Sequence, residues 1–408
     1  MPLAVAVALL ATAQDWPGWR GAGRDGKVEG FAVPARWPER LERAWRVEVG
    51  GGHSTPALVG GRLYVHARDG ADHDVVLCLD AATRKEAWRS RLEAPYAVPS
   101  WAEMHGKGPF SSPAVAEGRL FAFGINGVLS CLDAETGRLL WRRDFRDRFA
   151  KTVPENGTAM SPLVVDGLCL VHAGGPGTGG ILALDPASGR ERWSWDGDGP
   201  AYASPVVASI AGKRQVVTQT QKHAVGVSLD GGQLLWKLEF KTYGDQNSVT
   251  PVVSGSTVVL SGLKQGIAAW RLVGERPEKV WETSEVSMYM STPVLQGERL
   301  YGFSETALGQ FFCLDAASGR TLWKAEGRQG ENAALLDAGR VIVALVTPKP
   351  ETGDRVGSHL VVFDADDRAY VERVRYKVAE TPAWAHPVLW KGSVFVKDRD
   401  GLARWAIP

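Results

Sequence analysis

The 408-residue chain reads as all-β: a single eight-bladed β-propeller of four-stranded antiparallel blades. Three observations carry this reading. The stretch CLDAETGRLLW (Cys131 to Trp141) recurs almost residue for residue as ALDPASGRERW (Ala183 to Trp193) and CLDAASGRTLW (Cys313 to Trp323). Glycine turns between apolar runs recur eight times, at Gly61, Gly118, Gly167, Gly212, Gly255, Gly297, Gly339 and Gly392, spaced 42 to 57 residues apart. A proline precedes seven of these hairpins, at Pro56, Pro113, Pro162, Pro205, Pro251, Pro293 and Pro387, with Ala333-Ala334 in the remaining repeat. Self-similarity at a period of 40 to 50 residues, with several short strands per period, marks a propeller.

Each repeat has the same internal order. An apolar strand opens after the proline, where a missing N–H disturbs little of the ladder. A glycine turn and a second apolar strand make a hairpin. A third strand ends in Leu-Asp, and a tight Thr/Ser-Gly-Arg turn leads to an outer strand carrying tryptophan. In that turn Asp133 can accept backbone N–H bonds and Gly137 can take positive φ. The docking residues are Trp45, Trp88, Trp141, Trp193, Trp236, Trp281 and Trp323, with Tyr376 in the seventh repeat. Laid between adjacent blades, each ring buries roughly 150–250 Å². This assigns seven of the sixteen tryptophans to architecture.

The eighth repeat, VLWKGSVFVKDRDGLARWAIP, ends after its third strand. The segment RAWRVEV (Arg43 to Val49) precedes the first hairpin and supplies the missing outer strand. The N-terminal strand therefore joins the last blade and closes the ring, which removes open edges. The expected organisation is residues 42–408 as propeller, 14–41 as an N-terminal leader and 1–13 as a signal peptide. The apolar run Leu3 to Ala11, ending in Ala11-Thr12-Ala13, has the length and cleavage pattern of an export signal, and no other run reaches membrane length. The expected product is soluble, periplasmic or secreted, and monomeric.

Composition excludes some functions. Forty-seven Lys+Arg against 46 Asp+Glu leaves no positive field for nucleic acid or an anionic membrane. Cys78, Cys131 and Cys313 occupy equivalent positions in different blades, and Cys169 lies on another strand. Such positions are on the order of 15 Å apart given strand spacing near 4.8 Å, beyond disulfide reach, so four buried free thiols are expected. The Gly174 to Gly180 stretch, GGPGTGG, lies between strands and reads as a hairpin turn, not a phosphate cradle. No C-x-x-C-H, H-E-x-x-H or G-x-S-x-G occurs.

Two sets of loops share one face of such a ring. The connections between blades carry Ser54, Trp101, His105, Lys107, Asn156, Tyr202, Tyr243, Gln246, Asn247, Tyr289, Glu331, Asn332, Trp384 and His386. The turns between second and third strands carry Arg68, Asn126, Lys222, Lys264 and Asp398. The longest insertions are Ala94 to Phe110 and Thr347 to Ser358. Trp101 and Trp384 can stack on a flat ligand, and Lys222, Lys264 and Arg68 can pair with carboxylates. Trp101, Lys222, Lys264 and Trp384 are the candidate ligand-binding residues, and no catalytic or metal-binding set is identified.

The repeat LDAETGRLLW resembles the docking motif A-x-D-x-x-T-G-x-x-x-W of the pyrroloquinoline-quinone (PQQ)-like propeller superfamily over about residues 42 to 408. The leader DWPGWRGAGRDG is similar to that of exported PQQ-like repeat proteins. The resemblance implies two branches: quinoprotein dehydrogenases, which use PQQ and Ca²⁺, and non-catalytic, BamB-like propellers, which bind other proteins. Glu331 and Asn332 fall short of the six to eight oxygens that Ca²⁺ takes, and no adjacent Cys-Cys pair or haem motif is present. The favoured expectation is a non-catalytic scaffold with no cofactor, binding a protein or polymer partner through its loop face. The alternative is a PQQ/Ca²⁺-dependent dehydrogenase, or another enzyme, centred on the channel.

Overall fold

A computed structural model of the chain describes residues 15–273, 276–306, 309–347 and 357–408; the side chains of Trp101 and Met104 lie outside the described set. The expected signal peptide, and most of the insertion from Thr347 to Ser358, also fall outside it. The strands form eight four-stranded antiparallel sheets. Blade 1 comprises Ala57–Val59, Arg62–Asp69, His73–Asp80 and Glu86–Glu93, and six further blades follow the same order. Blade 8 consists of Val388–Leu389, Ser393–Lys397 and Gly401–Ala406, with Glu42–Glu48 as its outer strand. Glu42 pairs with Ala406 and Glu48 with Gly401, so the N-terminal strand closes the ring as the repeat count predicts.

Middle strands are buried almost throughout and outer strands alternate. Val341–Thr347 is buried at every position, whereas Glu86–Glu93 buries only Leu92. Inner strands lie between blades on both faces and so read as continuous apolar runs; the outer strand meets water along one edge. All eight hairpin glycines take positive φ, between 55 and 79°. Cys78, Cys131, Cys169 and Cys313 are buried and free.

The docking residues perform the stitching expected of them. Each indole N–H donates to a backbone carbonyl in the turn of the next blade: Trp45 to Ala82 (3.2 Å), Trp88 to Ala134 (3.2 Å), Trp141 to Pro186 (3.0 Å), Trp193 to Leu229 (2.8 Å), Trp281 to Ala316 (3.0 Å) and Trp323 to Asp366 (2.8 Å). The Tyr376 hydroxyl donates to Pro38 O at 2.6 Å, because the leader stands where blade 8 lacks the turn. Trp236 departs from the pattern. Blade 5 joins its last two strands through RLVGERPEK, a sequence without the Asp-to-Gly motif. The Trp236 indole instead lies on Gly226 of its own blade and donates to Gln215 Oε1 at 2.5 Å.

The turn itself is held as the sequence suggests. Asp133 Oδ1 accepts from Thr136 N (2.8 Å), Thr136 Oγ1 (2.8 Å) and Glu135 N (3.1 Å). Gly137 has a second reason to be glycine. A Cβ there would stand 2.4 Å from Trp88 Cε3, because the indole of the preceding blade lies flat on it. Gly189 meets Trp141 and Gly319 meets Trp281 in the same way.

A second inter-blade device lies nearer the axis. The residue just before each proline is Ser or Thr in six blades, and its hydroxyl accepts the backbone N–H of its counterpart one blade back. Thr55 N donates to Ser112 Oγ (2.9 Å), Ser112 N to Ser161 Oγ (3.0 Å), Ser161 N to Ser204 Oγ (3.0 Å), Ser204 N to Thr250 Oγ1 (3.1 Å) and Thr250 N to Thr292 Oγ1 (3.2 Å). His386 N closes blade 8 onto Thr55 Oγ1 at 2.9 Å. Blade 7 has Ala333 at this position and borrows Ser291 Oγ, which accepts its N–H at 3.1 Å. These buried N–H groups face away from their own sheets and need a partner.

The leader occupies the axis. Trp16, 1% exposed, pairs with Leu58 of blade 1 through both backbone bonds. Val115 N of blade 2 donates to Pro17 O, and Val28 N donates to Asp337 O of blade 7. The Arg24 guanidinium donates to Ser161 O (3.0 Å), Pro162 O and Pro205 O (2.9 Å), joining blades 3 and 4. Arg20 donates to Thr292 O (3.1 Å) and Pro293 O (2.6 Å) of blade 6. A single segment that touches the innermost strands of blades 1, 2, 3, 4, 6 and 7 must run up the centre of the ring. Both arginines are buried and take positive φ (60° and 54°), a costly backbone state for a side-chain-bearing residue. Carbonyl oxygens stand in for the water their charges have lost.

Candidate functional site: a cavity at the channel mouth

The leader stops the channel from one end, and the other end is open as a cavity with two lobes. The inner lobe, about 360 Å³, takes residues from every inter-blade connection: His53, His105, Asn156, Tyr202, Gln246, Tyr289, Asn332, Trp384 and His386 among them. Trp19 of the leader is also part of its wall and meets the His386 ring edge-on at 5.6 Å. The outer lobe, about 720 Å³, lies over blades 6, 7, 8 and 1. His53, His105, Tyr289, Met290, Asn332 and Trp384 line both.

The lobes differ in charge. The outer lobe carries Arg68, Lys107 and Arg399 together with Glu305, Glu331 and Asp400. Among the described residues lining the inner lobe none is Asp, Glu, Lys or Arg. Its three histidines are held neutral. Burial, aided by the nearby Arg20, pulls His386 down to about 3. Burial, aided by Lys397, does the same for His53, to about 3. His105 is lowered by burial as well. Each would pay to carry a charge out of water.

Aromatic rings frame the boundary between lobes. His53 stacks on Phe110 at 5.6 Å, and His105 meets Trp384 edge-on at 5.5 Å. Below them, the Tyr202 hydroxyl accepts from Asn156 N (3.2 Å) and Nδ2 (3.0 Å), and the Tyr289 hydroxyl donates to Gln246 Oε1. Burial raises Tyr289 to about 12, so it stays a donor at any physiological pH. Lys397, 1% exposed, braces the wall by donating to Gly52 O (2.6 Å), Asp398 O (3.2 Å) and Gly50 O (3.3 Å). Two ring nitrogens sealed from solvent, His53 Nδ1 and His386 Nδ1, have no hydrogen-bond partner among the described residues.

Of the four candidate residues read from the sequence, Trp384 lines both lobes. Lys222 and Lys264 are exposed and belong to neither. Their turns are fastened to other groups, Lys222 N donating to Asp198 Oδ2 (3.2 Å) and Lys264 N to Glu305 Oε1 (3.2 Å). Trp101 lies in a short 3₁₀ turn, Ser100–His105, and its side chain is outside the described residues. Arg68 reaches the outer lobe, but its guanidinium is committed to Asp74 (3.0 Å) and Ala94 O (2.7 Å). Asn247 is wholly buried and ties Thr220 O and Phe240 O, 2.7 Å each. Sequence reasoning missed Trp19 and the cavity-lining Ser112, Ser204 and Thr292; the Ser/Thr before each proline was the available signal for the last three.

The quinone and Ca²⁺ that the superfamily makes possible find little here. A polycarboxylate in the inner lobe would meet no cationic side chain. Among the described residues no group of three or more His, Cys, Asp or Glu is placed to hold a metal ion. The inner lobe does not fit that pair.

Comparisons with known proteins agree with the architecture. The chain is 25% identical over 240 residues to the outer membrane protein assembly factor BamB of Burkholderia pseudomallei (strain K96243), covering 55% of this chain and 58% of that protein. It is 22% identical over 380 residues to the BamB of Yersinia pestis, covering 89% and 77%. The match thus spans little more than half of the Burkholderia relative. Among solved structures, BamB from Moraxella catarrhalis superposes with a TM-score of 0.62 at 14% identity, covering 90% of this chain and 98% of that one. A europium-containing methanol dehydrogenase gives 0.64 at 14% identity, covering 97% and 98%. At such identity both establish the propeller fold alone, and the fold serves catalytic and non-catalytic proteins alike. The family described as outer membrane protein assembly factor BamB matches residues 42–98 and 72–325, well over half of the sequence, and to that family this chain belongs.

Proposed function

We propose that the protein is an exported, non-catalytic scaffold that binds a protein partner in the cell envelope through the face carrying the cavity mouth. The family match is the observation that carries this reading. The surface supports it. Tyr243, 87% exposed, and Met290, 38% exposed, project from adjacent inter-blade connections on that face. A large aromatic and a thioether on a rigid rim are suited to serve as binding anchors. Among the described residues no helix is long and apolar enough to cross a membrane.

Photo-crosslinking in the native envelope tests the proposal. Crosslinkers at Tyr243 and Met290 should yield discrete adducts with outer-membrane assembly proteins, and crosslinkers at Glu117 and Asp166, on the opposite hairpin turns, should not. Adducts from the opposite face only, or from neither, would overturn it. Titration of PQQ with Ca²⁺ addresses the dehydrogenase alternative: a saturable rise in melting temperature that is lost on Trp384→Ala would displace the scaffold reading.

A further inference from the structure

We infer that the inner lobe is a binding site for a neutral sugar unit, seated above Trp19 and beside Trp384. This site lies beneath the rim, with Met290 lining it as well, and does not rest on the scaffold reading.

The argument begins with what the lobe lacks. A channel mouth that served only as solvent-filled space would keep ordinary surface composition, with charged groups among its lining. Here charge is confined to the outer lobe, and the inner one is lined by rings, amides and hydroxyls. Its imidazoles are neutral for the reasons given above. A carboxylate, phosphate or ammonium brought there would lose hydration and meet no charged side chain in the described lining; the cations behind the wall, Arg20 and Lys397, already donate to backbone carbonyls. A purely apolar ligand would strand the polar groups instead. What satisfies both is a neutral molecule with an apolar face and several hydroxyls on its edge, which is the chemistry of a pyranose ring.

The specific groups match. Trp384 and Trp19 put two large apolar rings in the wall, suited to the C–H face of a sugar. The Gln246–Tyr289 and Asn156–Tyr202 pairs hold fixed amide and phenol groups at the wall. His386, 8% exposed, and His53 add neutral imidazole rings to the same wall. The volume, about 360 Å³, lies in the range of small-molecule sites. The leader closes the lobe on one side, so entry is from the channel mouth.

Calorimetry and saturation-transfer NMR test this on the whole chain. The probes are glucose, N-acetylglucosamine, cellobiose and chitobiose, with glucuronate as the charged comparator. At least one neutral probe should bind saturably, with a dissociation constant of about 1 mM or tighter. Glucuronate should bind about tenfold more weakly than glucose. Trp384→Ala and His386→Leu should each weaken the neutral probe by about tenfold, whereas Lys222→Ala, exposed and off the cavity, should leave it unchanged. His386→Leu keeps an apolar side chain beside Trp19 and breaks no side-chain hydrogen bond among the described residues, so melting close to wild type accompanies its binding loss and separates ligand contact from unfolding. No saturable binding by any neutral probe at about 10 mM would overturn the inference, as would glucuronate or PQQ binding more tightly than every neutral probe. Loss of envelope crosslinks at Tyr243 would leave sugar binding intact, so the two readings fail separately.

Discussion

The packing of each tryptophan on the next blade's turn glycine can be measured by replacing Gly137 with alanine. Two costs add. At φ +74° an L-residue pays about 1–2 kcal/mol. The new methyl would also stand 2.4 Å from Trp88 Cε3 and 2.7 Å from Ser90 Oγ, and overpacking of that kind costs about 1–3 kcal/mol. The sum is about 2–5 kcal/mol. Gly118 supplies the control. Its φ is +71°, nearly the same, but nothing lies within 4 Å of its added Cβ, so Gly118→Ala should cost only about 1–2 kcal/mol. In a Trp88→Ala background only Ser90 Oγ still crowds the methyl, and Gly137→Ala should fall toward the Gly118 value, a coupling of about 1–3 kcal/mol. Urea unfolding followed by circular dichroism, at unchanged m-value, reads all four proteins. If Gly137→Ala costs no more than Gly118→Ala, or costs the same with and without Trp88, the indole does not rest on the turn and the docking account is wrong.

Other perturbations probe the ring, the plug and the cavity. Trp323→Ala, which removes a ring 7% exposed and packed against Phe363 and Tyr370, should cost about 3–5 kcal/mol, and a loss below about 1 kcal/mol would mean that this ring does not fasten its blades. Deleting residues 42–48 should abolish soluble folded protein, and cooperative melting at an unchanged temperature would refute closure by that strand. Removing residues 15–41 should lower the melting temperature and open the inner lobe through the ring, read as lost binding of the sugar probe with the blades still folded; an unchanged melting temperature would mean the leader does not plug the axis. Acidification should destabilise the protein. His172 and His386 are held neutral, at about 4 and about 3, so below about pH 6.5 the unfolded chain binds protons that the folded one refuses. Stability is complete above that pH and falls by up to about 1.4 kcal/mol per pH unit for each imidazole on the way down to its folded value. A variant with His386→Gln should show a shallower slope between pH 6 and 4 in thermal melts; an unaltered slope would refute the assignment.

The propeller was legible in the sequence because its determinants are local. A proline, an apolar run, a glycine turn, an Asp-to-Gly turn and a tryptophan recur within each blade, and each acts through its own strand or its immediate neighbour. The closure strand was legible for the same reason: Trp45 carries the outer-strand signature in front of the first hairpin and is missing behind the last. Even Trp236 could have been anticipated, since the blade it faces visibly lacks the turn that receives an indole.

The site was legible in part, and the division has a physical cause. Inter-blade connections lead into the innermost strand, so Asn156, Tyr202, Gln246, Tyr289, Trp384 and His386 reach the axis wherever the ring closes. The turns between second and third strands stand farther out, by about 4.8 Å per strand, which leaves Lys222 and Lys264 in solvent. The leader was not legible at all. Arg24 is held by carbonyls of Ser161, Pro162 and Pro205, residues more than 130 positions away, and no periodicity records such a contact. The sequence by itself determined the blades, their number and their closure, because repeated local chemistry repeats the same fold. Only the tertiary structure decided that the channel is stopped by its own N-terminal segment and that charge is kept out of the lobe above it, because both depend on which distant residues the closed ring brings to its axis.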